Sequence, residues 1–137
     1  MISYNINDTI EYAKQLAAQA KPGDIICLDG DLGVGKTVFA KGFAEGLGIG
    51  EPITSPTFTI MNIYDSGRLP LYHYDVYRIE DESEMDELGY EEYFFGSGVT
   101  LVEWASQIQD CIPENAMHIV IRKDPEKGDD YREITCS

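Results

Sequence analysis

Hydrophobic residues in the first fifty positions form two helical stripes with a short apolar run between them. The first stripe comprises Ile10, Ala13, Leu16, Ala17 and Ala20, and the second comprises Phe39, Ala40, Phe43, Ala44 and Leu47. Asp8 is the expected N-cap of the first helix, and Gly46 and Gly48 are expected to end the second. The run at residues 24–28, after a Pro-Gly turn, is typical of a buried parallel strand. The pattern therefore predicts helix, strand and helix in that order.

Strand-like segments dominate the rest of the chain. We expect strands at residues 57–64, 69–77, 99–104, 117–122 and 131–136, the first two joined by the turn Asp65-Ser66-Gly67. Residues 80–88 predict an acidic helix that stops at Gly89, and residues 90–95 predict a short aromatic-rich turn or helix. Residues 1–6 predict a short edge strand. The last two strands are expected to close one edge of the sheet.

One segment matches a known phosphate-binding pattern: Gly30-Asp31-Leu32-Gly33-Val34-Gly35-Lys36-Thr37. It fits G-x-x-x-x-G-K-[ST] at each defined position. We expect the backbone N–H groups of residues 31–35 to surround a phosphate, and Lys36 to contact the β- and γ-phosphates. The Thr37 hydroxyl is expected to bind Mg²⁺. An ordinary glycine-rich turn would explain the glycines, but not a Lys-Thr pair at the start of a helix.

Charge limits which partners the protein can bind directly. Ten basic residues oppose 25 acidic residues, which gives a net charge of −15. Between Arg78 and Arg122 lie eleven acidic residues and no lysine or arginine. Such a surface repels nucleic acid and anionic lipid. The segment is either a solvated acidic face or a docking surface for a basic protein, and charge alone does not separate the two.

Length and cysteine content indicate the class of protein. A chain of 137 residues predicts a single domain spanning residues 1–137. No apolar run approaches the ~18 residues of a membrane span, and the N-terminus lacks the basic and apolar regions of a secretory signal. Cys27, Cys111 and Cys136 form no C-x-x-C pair and are expected to be free thiols. We therefore expect a cytoplasmic protein.

Two segments after the phosphate loop supply candidate catalytic groups. Residues 54–59 contain four hydroxyl side chains, including that of Thr57. The segment is either a switch ordered by a γ-phosphate and its metal, or an ordinary strand rich in threonine. Further on, His73, Asp75 and Tyr77 share one face of a predicted strand. They are either structural hydrogen-bonding residues or part of a site in which Asp75 orients water or supports the metal.

A third candidate lies at the end of the apolar run at residues 99–104. Glu103 terminates this predicted strand, which is the Walker B arrangement with glutamate in place of aspartate. A carboxylate at the C-terminal end of such a strand faces the ligand crevice of an open α/β sheet. Glu103 is therefore expected to hold Mg²⁺ directly or through water. Trp104 beside it either belongs to the core or packs on loops that gate the site.

Four motifs in order make a family resemblance specific. They are the phosphate loop, Ser55-Pro56-Thr57-Phe58-Thr59, Tyr72-His73-Tyr74-Asp75-Val76-Tyr77-Arg78 and Leu101-Val102-Glu103-Trp104. Together they resemble the bacterial TsaE family of small P-loop ATPases, also called YjeE or YdiB, over nearly the whole chain. The resemblance implies a P-loop NTPase-like, three-layer α/β fold. Its central sheet would be largely parallel and extended by antiparallel strands.

The resemblance also implies a function. It predicts a Mg²⁺-dependent ATPase of the pathway that makes threonylcarbamoyladenosine in tRNA. TsaE-like proteins act with a TsaB–TsaD heterodimer, which the ATPase is thought to reset between turnovers, so contact with tRNA would be indirect and no membrane is involved. By motif match, Lys36 and Thr37 would bind phosphate and Mg²⁺. Glu103 would be the Walker B carboxylate that also binds Mg²⁺. Thr57 falls in the switch segment, and Asp75 is the candidate for catalytic support.

Other P-loop proteins remain as alternatives. A kinase of a small metabolite needs the same loop, but usually also a mobile basic lid, and residues 79–121 contain no lysine or arginine. A GTPase is disfavoured because no N-K-x-D guanine signature occurs in the sequence. A nucleotide-binding regulatory module without significant turnover is a third class. Phosphate release with ATP or GTP distinguishes these classes.

Overall fold

The computed structural model describes residues 1–31 and 33–137. Within that part of the chain, the strands are β1 (Ile2–Ser3), β2 (Ile25–Asp29), β3 (Met61–Tyr64), β4 (Leu71–Asp75), β5 (Val99–Glu103), β6 (Met117–Lys123) and β7 (Arg132–Cys136). The helices are α1 (Ile6–Gln19), α2 (Lys36–Gly46), α3 (Ser83–Glu87) and α4 (Tyr90–Phe94), and 3₁₀ segments occur at Ala105–Cys111 and Pro125–Lys127. None of these helices is long and apolar enough to cross a membrane.

The strands form one mixed sheet. Across the described residues their order is β1-β7-β6-β2-β5-β4-β3. Strands β6, β2, β5 and β4 are parallel neighbours, while β3 joins β4, and β7 joins β6 and β1, in antiparallel pairs. The predicted parallel centre with antiparallel extensions is confirmed, although β1 lies outside β7 at that edge. The carboxyl ends of the parallel strands meet at one edge of the sheet, where ligands bind in open α/β folds.

Side chains alternate across the sheet and so create two hydrophobic cores, which give the fold its three layers. On one face, Leu28 and Leu101 cluster with Phe39 and Phe43 of α2. On the other face, the core includes Cys27, Tyr74, Val102, Met85 of α3 and Phe94 of α4. Buried strands with apolar residues on both faces explain why the run at residues 24–28 is continuously hydrophobic.

Helices α1 and α2 cross at unusually close range because two residues of α2 are glycines. A Cβ atom on Gly42 would lie 2.8 Å from the carbonyl oxygen of Ile10. A Cβ atom on Gly46 would lie 2.7 Å from the Cβ atom of Ala17. Backbone therefore packs on backbone at this crossing. The contact fixes the position of α2 and, with it, the end of the phosphate loop.

Helix α1 begins earlier than the sequence predicts. Asn5, not Asp8, is the N-cap, and its Oδ1 accepts a hydrogen bond of 2.9 Å from the Asp8 amide. Asp8 instead lies in the first turn, where its carboxylate accepts a 3.0 Å bond from the Tyr4 amide. The prediction was wrong by one turn because both residue types make good caps, and Asn5 provides the capping oxygen one turn earlier.

The hydroxyl-rich segment is a turn, whereas the sequence predicted that a strand would begin at residue 57. Strand β3 starts only at Met61. The Ile60 amide donates a 2.7 Å bond to the Pro56 carbonyl, and Ile60 has a φ of 69°. This left-handed backbone is strained for a β-branched residue and breaks the strand there. Strand β4 is also shorter than predicted and ends at Asp75.

The acidic helix is shorter than predicted as well. Helix α3 starts at Ser83, three positions after the expected start. Its preceding turn is held by Glu84, whose carboxylate accepts bonds from the amides of Glu80 and Asp81 at 2.9 and 3.1 Å. Gly89 follows with a φ of 65° and separates α3 from α4. The predicted stop at Gly89 is therefore confirmed.

Candidate nucleotide-binding site

The loop between β2 and α2 has the backbone shape that its glycines allow. Gly30, Gly33 and Gly35 have φ values of 155°, 74° and 112°, all rare for residues with side chains. A Cβ atom on Gly30 would lie 2.7 Å from the Ile121 carbonyl oxygen, so the loop also lies against β6. Leu32 lies outside the described residues, and its predicted contact with phosphate stays a prediction.

Lys36 is buried at the first position of α2, with 6% of its surface exposed. Its ammonium group donates a 2.5 Å hydrogen bond to the Gly30 carbonyl and lies 3.6 Å from the centre of the Trp104 ring. Burial lowers the pKa of Lys36, and the carboxylates of Glu103 and Asp75 oppose that shift. The loop lysine is thus held inside the site by a backbone acceptor and an aromatic face.

Two carboxylates end neighbouring parallel strands beside this lysine. Asp75 of β4 and Glu103 of β5 are partners in the strand register, and they are only 5% and 4% exposed. The Asp75 Oδ1 atom accepts a 3.0 Å bond from the Tyr77 amide. The Glu103 Oε2 atom lies 2.6 Å from Nε2 of His73. His73, Asp75 and Glu103 are therefore brought together at the carboxyl edge of the sheet, while Tyr77 lies beyond the end of β4.

The hydroxyl segment contacts the carboxylates through one residue. The Thr57 hydroxyl donates a 3.2 Å bond to Oδ2 of Asp75, and Ser55 lies 2.8 Å from the same hydroxyl. Thr59 instead donates a 3.0 Å bond to the side chain of Asn62. Of Thr57 and Thr59, only Thr57 therefore contacts the carboxylates of the site.

A cavity of about 270 Å³ joins these groups. It is lined by Gly33, Gly35, Lys36, Thr37, Ser55, Thr57, Asp75, Glu103 and Trp104. Val34 is not among them, because its side chain is buried in the core below the loop. Asp31 faces a neighbouring cleft, together with Arg122 and Lys123. Only their backbone groups are therefore suited to the phosphate contacts that the sequence predicts.

A second groove, of about 160 Å³, continues from the loop toward the start of α1. It is lined by Asn5, Ile6, Thr9, Gly33, Val34, Gly35, Val38, Asp130 and Arg132. Arg132 of β7 donates a 2.7 Å bond from Nε to the Val34 carbonyl. Sequence reasoning missed this groove because Arg132 and the loop are 98 residues apart, and only the position of β7 beside β6 brings them together.

The donor atoms of the main cavity suit a magnesium ion bound with phosphates. Thr37, Asp75 and Glu103 present oxygen atoms, which are the ligands that Mg²⁺ prefers. Among the described residues, no cluster of three or more His, Cys, Asp or Glu side chains forms a protein-only metal cage. Mg²⁺ normally uses one or two carboxylates and completes its shell with phosphate oxygens and water. The residues present therefore fit that ion.

Comparison with known proteins identifies the family. A family model described as "Threonylcarbamoyl adenosine biosynthesis protein TsaE" matches residues 3–134. The chain belongs to the TsaE family. A relative from Bacillus subtilis (strain 168), named tRNA threonylcarbamoyladenosine biosynthesis protein TsaE, is 58% identical over 131 residues, covering 96% of this chain and 80% of the relative. A protein of the same name from Treponema pallidum (strain Nichols) is 40% identical, covering 99% and 98% of the two chains.

A solved structure agrees with the TsaE assignment. The crystal structure of Bacillus subtilis YdiB superimposes with a TM-score of 0.85 and 50% sequence identity, covering 99% of this chain and 82% of that chain. The four motifs that suggested the TsaE family lie in the phosphate loop, in the hydroxyl turn and on two neighbouring strands, β4 and β5. Their order in the sequence therefore corresponds to one site in space, because all four border the same cavity.

Proposed function

We propose that this protein binds and hydrolyses ATP with Mg²⁺ and serves the tRNA threonylcarbamoyladenosine machinery as an accessory ATPase. One observation carries the proposal: a single cavity joins Lys36 and Thr37 of the phosphate loop to Asp75 and Glu103 at the ends of β4 and β5. A phosphate-binding loop alone would suit many ligands. Two buried carboxylates opposite it add the groups that phosphoryl chemistry requires.

The phosphates would lie against the start of α2. The amides of Gly33 and Gly35 and the positive end of the helix favour anions there. Lys36 already lies in the cavity, so it would exchange its bond to the Gly30 carbonyl and its place over Trp104 for contact with phosphate oxygens. Trp104 would then be released from the ammonium group, which makes the only tryptophan of the chain a natural reporter of binding.

Mg²⁺ would be held by the Thr37 hydroxyl and by Glu103, and when bound it would neutralise charge on the phosphates. Asp75, the register partner of Glu103 on the neighbouring strand, remains available to a water molecule in the same cavity. Its two oxygens accept bonds from Thr57 and from the Tyr77 amide, which fix the plane of the carboxylate. We propose that Asp75 orients the attacking water and that Thr57 links this carboxylate to the hydroxyl turn.

The nucleoside would extend into the second groove. That groove adjoins the loop at Gly33 and Gly35 and offers polar groups from Asn5, Thr9 and Asp130. A mixed apolar and polar groove suits a base and ribose, since a few polar groups fix their orientation. This position for the base would explain why the N-terminus of α1 and the start of β7 border the phosphate loop.

A protein partner fits the charge better than tRNA itself does. Helices α3 and α4 present exposed carboxylates, among them Asp86, Glu87, Glu91 and Glu92. Such a face attracts a basic protein surface and repels tRNA. We propose that it docks on a TsaB–TsaD-like heterodimer, which this ATPase resets between turnovers, and that tRNA is met only through the complex.

The isolated protein should be a slow ATPase. Arg78 lies over the Phe58 ring at 4.7 Å, and Arg132 is bonded to the loop carbonyl of Val34. Neither arginine lines the cavity between the phosphate loop and the two carboxylates, so neither is in place as an arginine finger, a group worth about 10³–10⁵ in rate. Phosphate release is measured with ATP and with GTP, first alone and then with the purified TsaB–TsaD-like pair. Multi-turnover tRNA modification by that pair should require this protein and ATP.

Failure of that requirement would favour another P-loop function. If the pair cycles equally well without this protein, the pathway role is wrong and a metabolite kinase becomes the better hypothesis. The docking face is tested separately by reversing Asp86, Glu87 and Glu91 to lysine, with Asp65, Glu114 and Glu126 reversed as the control of equal charge. Glu84 is left intact because it holds the turn before α3. Only the first triple variant should lose the complex.

A further inference from the structure

A buried histidine holds the Walker B carboxylate. His73 is 1% exposed and Glu103 is 4% exposed, so the pair is sealed from solvent. Nε2 of the imidazole lies 2.6 Å from Oε2 of the carboxylate. A carboxylate can only accept hydrogen bonds, so Nε2 carries the proton and donates it in this contact. Bonds of this length to a charged acceptor are among the stronger hydrogen bonds in proteins.

Strand register explains how the two side chains meet. Residues 73 and 101 are partners on β4 and β5, and Asp75 and Glu103 are partners two residues further on. Glu103 therefore reaches back along the sheet to His73 instead of extending straight beyond the end of its strand. The contact occupies Oε2 and leaves Oε1 as the oxygen available to the cavity that Thr37 also lines.

The other side of the imidazole supports a role directed at Glu103. Nδ1 of His73 is buried and has no hydrogen-bond partner among the described residues. An unpartnered buried nitrogen costs free energy, so a histidine placed only for stability would be a poor choice here. Leucine, which has a similar volume, has no such cost. What histidine adds at this position is the donor to the carboxylate.

We propose that His73 is a positioning residue that orients Glu103 toward the metal. The inference rests on the proposed function, since it concerns the same magnesium site. By fixing one oxygen of the carboxylate, His73 keeps the other directed at the cavity without a rotation of the side chain on binding. Hydrogen-bonding partners of metal ligands typically change metal affinity by about 10–100-fold when they are removed.

Three substitutions separate positioning from packing. His73→Gln keeps a donor near the place of Nε2, whereas His73→Asn is one methylene shorter and cannot reach Glu103. His73→Leu keeps the volume and removes the donor. For each variant, calorimetry gives the affinity for a non-hydrolysable ATP analogue in excess Mg²⁺ and in EDTA, and Trp104 fluorescence provides a second reading. The ratio of the two affinities measures how well the site holds the metal.

The expected results differ between the variants. For the Asn and Leu variants, the ratio of the affinity in Mg²⁺ to the affinity in EDTA should fall roughly tenfold or more. Their affinity for the analogue in EDTA should stay normal. The Gln variant should stay within about threefold of the wild type, since the donor is restored. A general loosening of the fold would lower both affinities together and leave the ratio unchanged, and that result would overturn the proposal.

Two further outcomes are decisive. If His73→Leu does not fold, the Gln and Asn variants still decide the question, because both are polar amides that differ only in reach. If Asn and Gln variants show the same ratio as the wild type, His73 does not position Glu103, and the proposed ATPase function stands. If the wild type itself binds no nucleotide, the proposed function fails and this inference fails with it.

Discussion

The two walls of the cavity are built in different ways. On the side of the phosphate loop, the shape resides in the backbone: three glycines with positive φ follow β2, and α2 packs backbone to backbone on α1. On the opposite side, the turn at residues 54–59 is attached to β4 by the bond from Thr57 to Asp75, and to Asn62 and Tyr64 of β3 by side-chain contacts. One wall is formed in advance of binding, whereas the other can rearrange.

Exposure reinforces this contrast. Phe58, at the centre of the hydroxyl turn, is 81% exposed and contacts the guanidinium group of Arg78 from outside the core. Lys36, on the loop side, is 6% exposed. We expect the phosphate loop, as a rigid cradle, to give affinity for phosphate, and the loosely held turn to respond to the γ-phosphate or to a partner. We therefore expect nucleotide binding and turnover to be separable by mutation.

Substitution of Asp75 should have the largest effect and should act on turnover. Asp75→Asn keeps an oxygen atom that can accept the hydrogen bond from the backbone amide of Tyr77. Its side-chain NH₂ group would face Thr57, whose hydroxyl can accept a hydrogen bond, so the turn at residues 54–59 stays in place. The charge that orients water is lost, and general-base groups are worth about 10²–10⁴ in rate. We expect ATP hydrolysis to fall by at least about 100-fold, with ATP affinity changed less than about threefold. A large loss of affinity in calorimetry would contradict the division between the two walls.

Substitution of Lys36 should have the next largest effect and should act on affinity. Hydrogen bonds to charged groups contribute about 1.5–3 kcal/mol each, so Lys36→Ala should weaken ATP binding by one to two decades. Lys41→Ala, an exposed position on the same helix, is the matched control. Calorimetry with both variants checks this. An unchanged affinity for Lys36→Ala would remove the loop from the binding site.

The cradle was predictable from sequence because it is local. Residues 30–37 are contiguous, and their pattern of glycines, lysine and threonine is enough to identify one turn between a strand and a helix. Glu103 could also be placed, since it ends an apolar strand, whereas Asp75 was assigned to the interior of a strand that was expected to continue to residue 77. The Thr57 turn was predicted as strand because β-propensity cannot register the left-handed backbone at Ile60.

Features that depend on distant parts of the chain were not predictable. Arg132 reaches the loop from the last strand, and the groove beside it depends on how α1 packs on the sheet. The bond from His73 to Glu103 depends on the register of β4 and β5. The sequence placed His73 beside Asp75 on one strand face but contained no signal for its actual partner. For strands as distant in sequence as β4 and β5, local periodicity does not specify which strands are neighbours or which residues pair.

The helix crossing behind the cradle provides a smaller, structural test. A methyl group at position 42 would meet backbone atoms of Ile10, so Gly42→Ala should force α1 and α2 apart. Overpacking costs about 1–3 kcal/mol, and the better helix propensity of alanine offsets up to about 1 kcal/mol of this. We expect a net loss of about 1–2 kcal/mol in unfolding free energy and weaker ATP binding.

Gly50→Ala is the control for this change, because no atom lies within 4 Å of the new methyl group. Its effect on unfolding free energy should stay within about 0.5 kcal/mol. Urea denaturation measures both variants. If Gly42→Ala loses stability but binds ATP normally, the cradle does not depend on the α1–α2 contact, and the rigid wall is held by β2 and β6 instead.

Cysteine reactivity provides the mildest test, since it changes no residue. Cys27 lies on β2, the strand that leads into the phosphate loop, is 0% exposed, and has its pKa raised to about 12, chiefly by burial and then by the charge of Asp29. The thiol stays protonated at pH 8, and only the thiolate reacts with disulfide reagents.

Exposed Cys136 should react first and half-buried Cys111 more slowly, because burial also raises the pKa of Cys111. Cys27 should react only after denaturation, and peptide mass spectrometry would assign each site. Should Cys27 react as fast as Cys111 in the native protein, β2 opens locally, and the wall behind the phosphate loop is no more rigid than the hydroxyl turn opposite it.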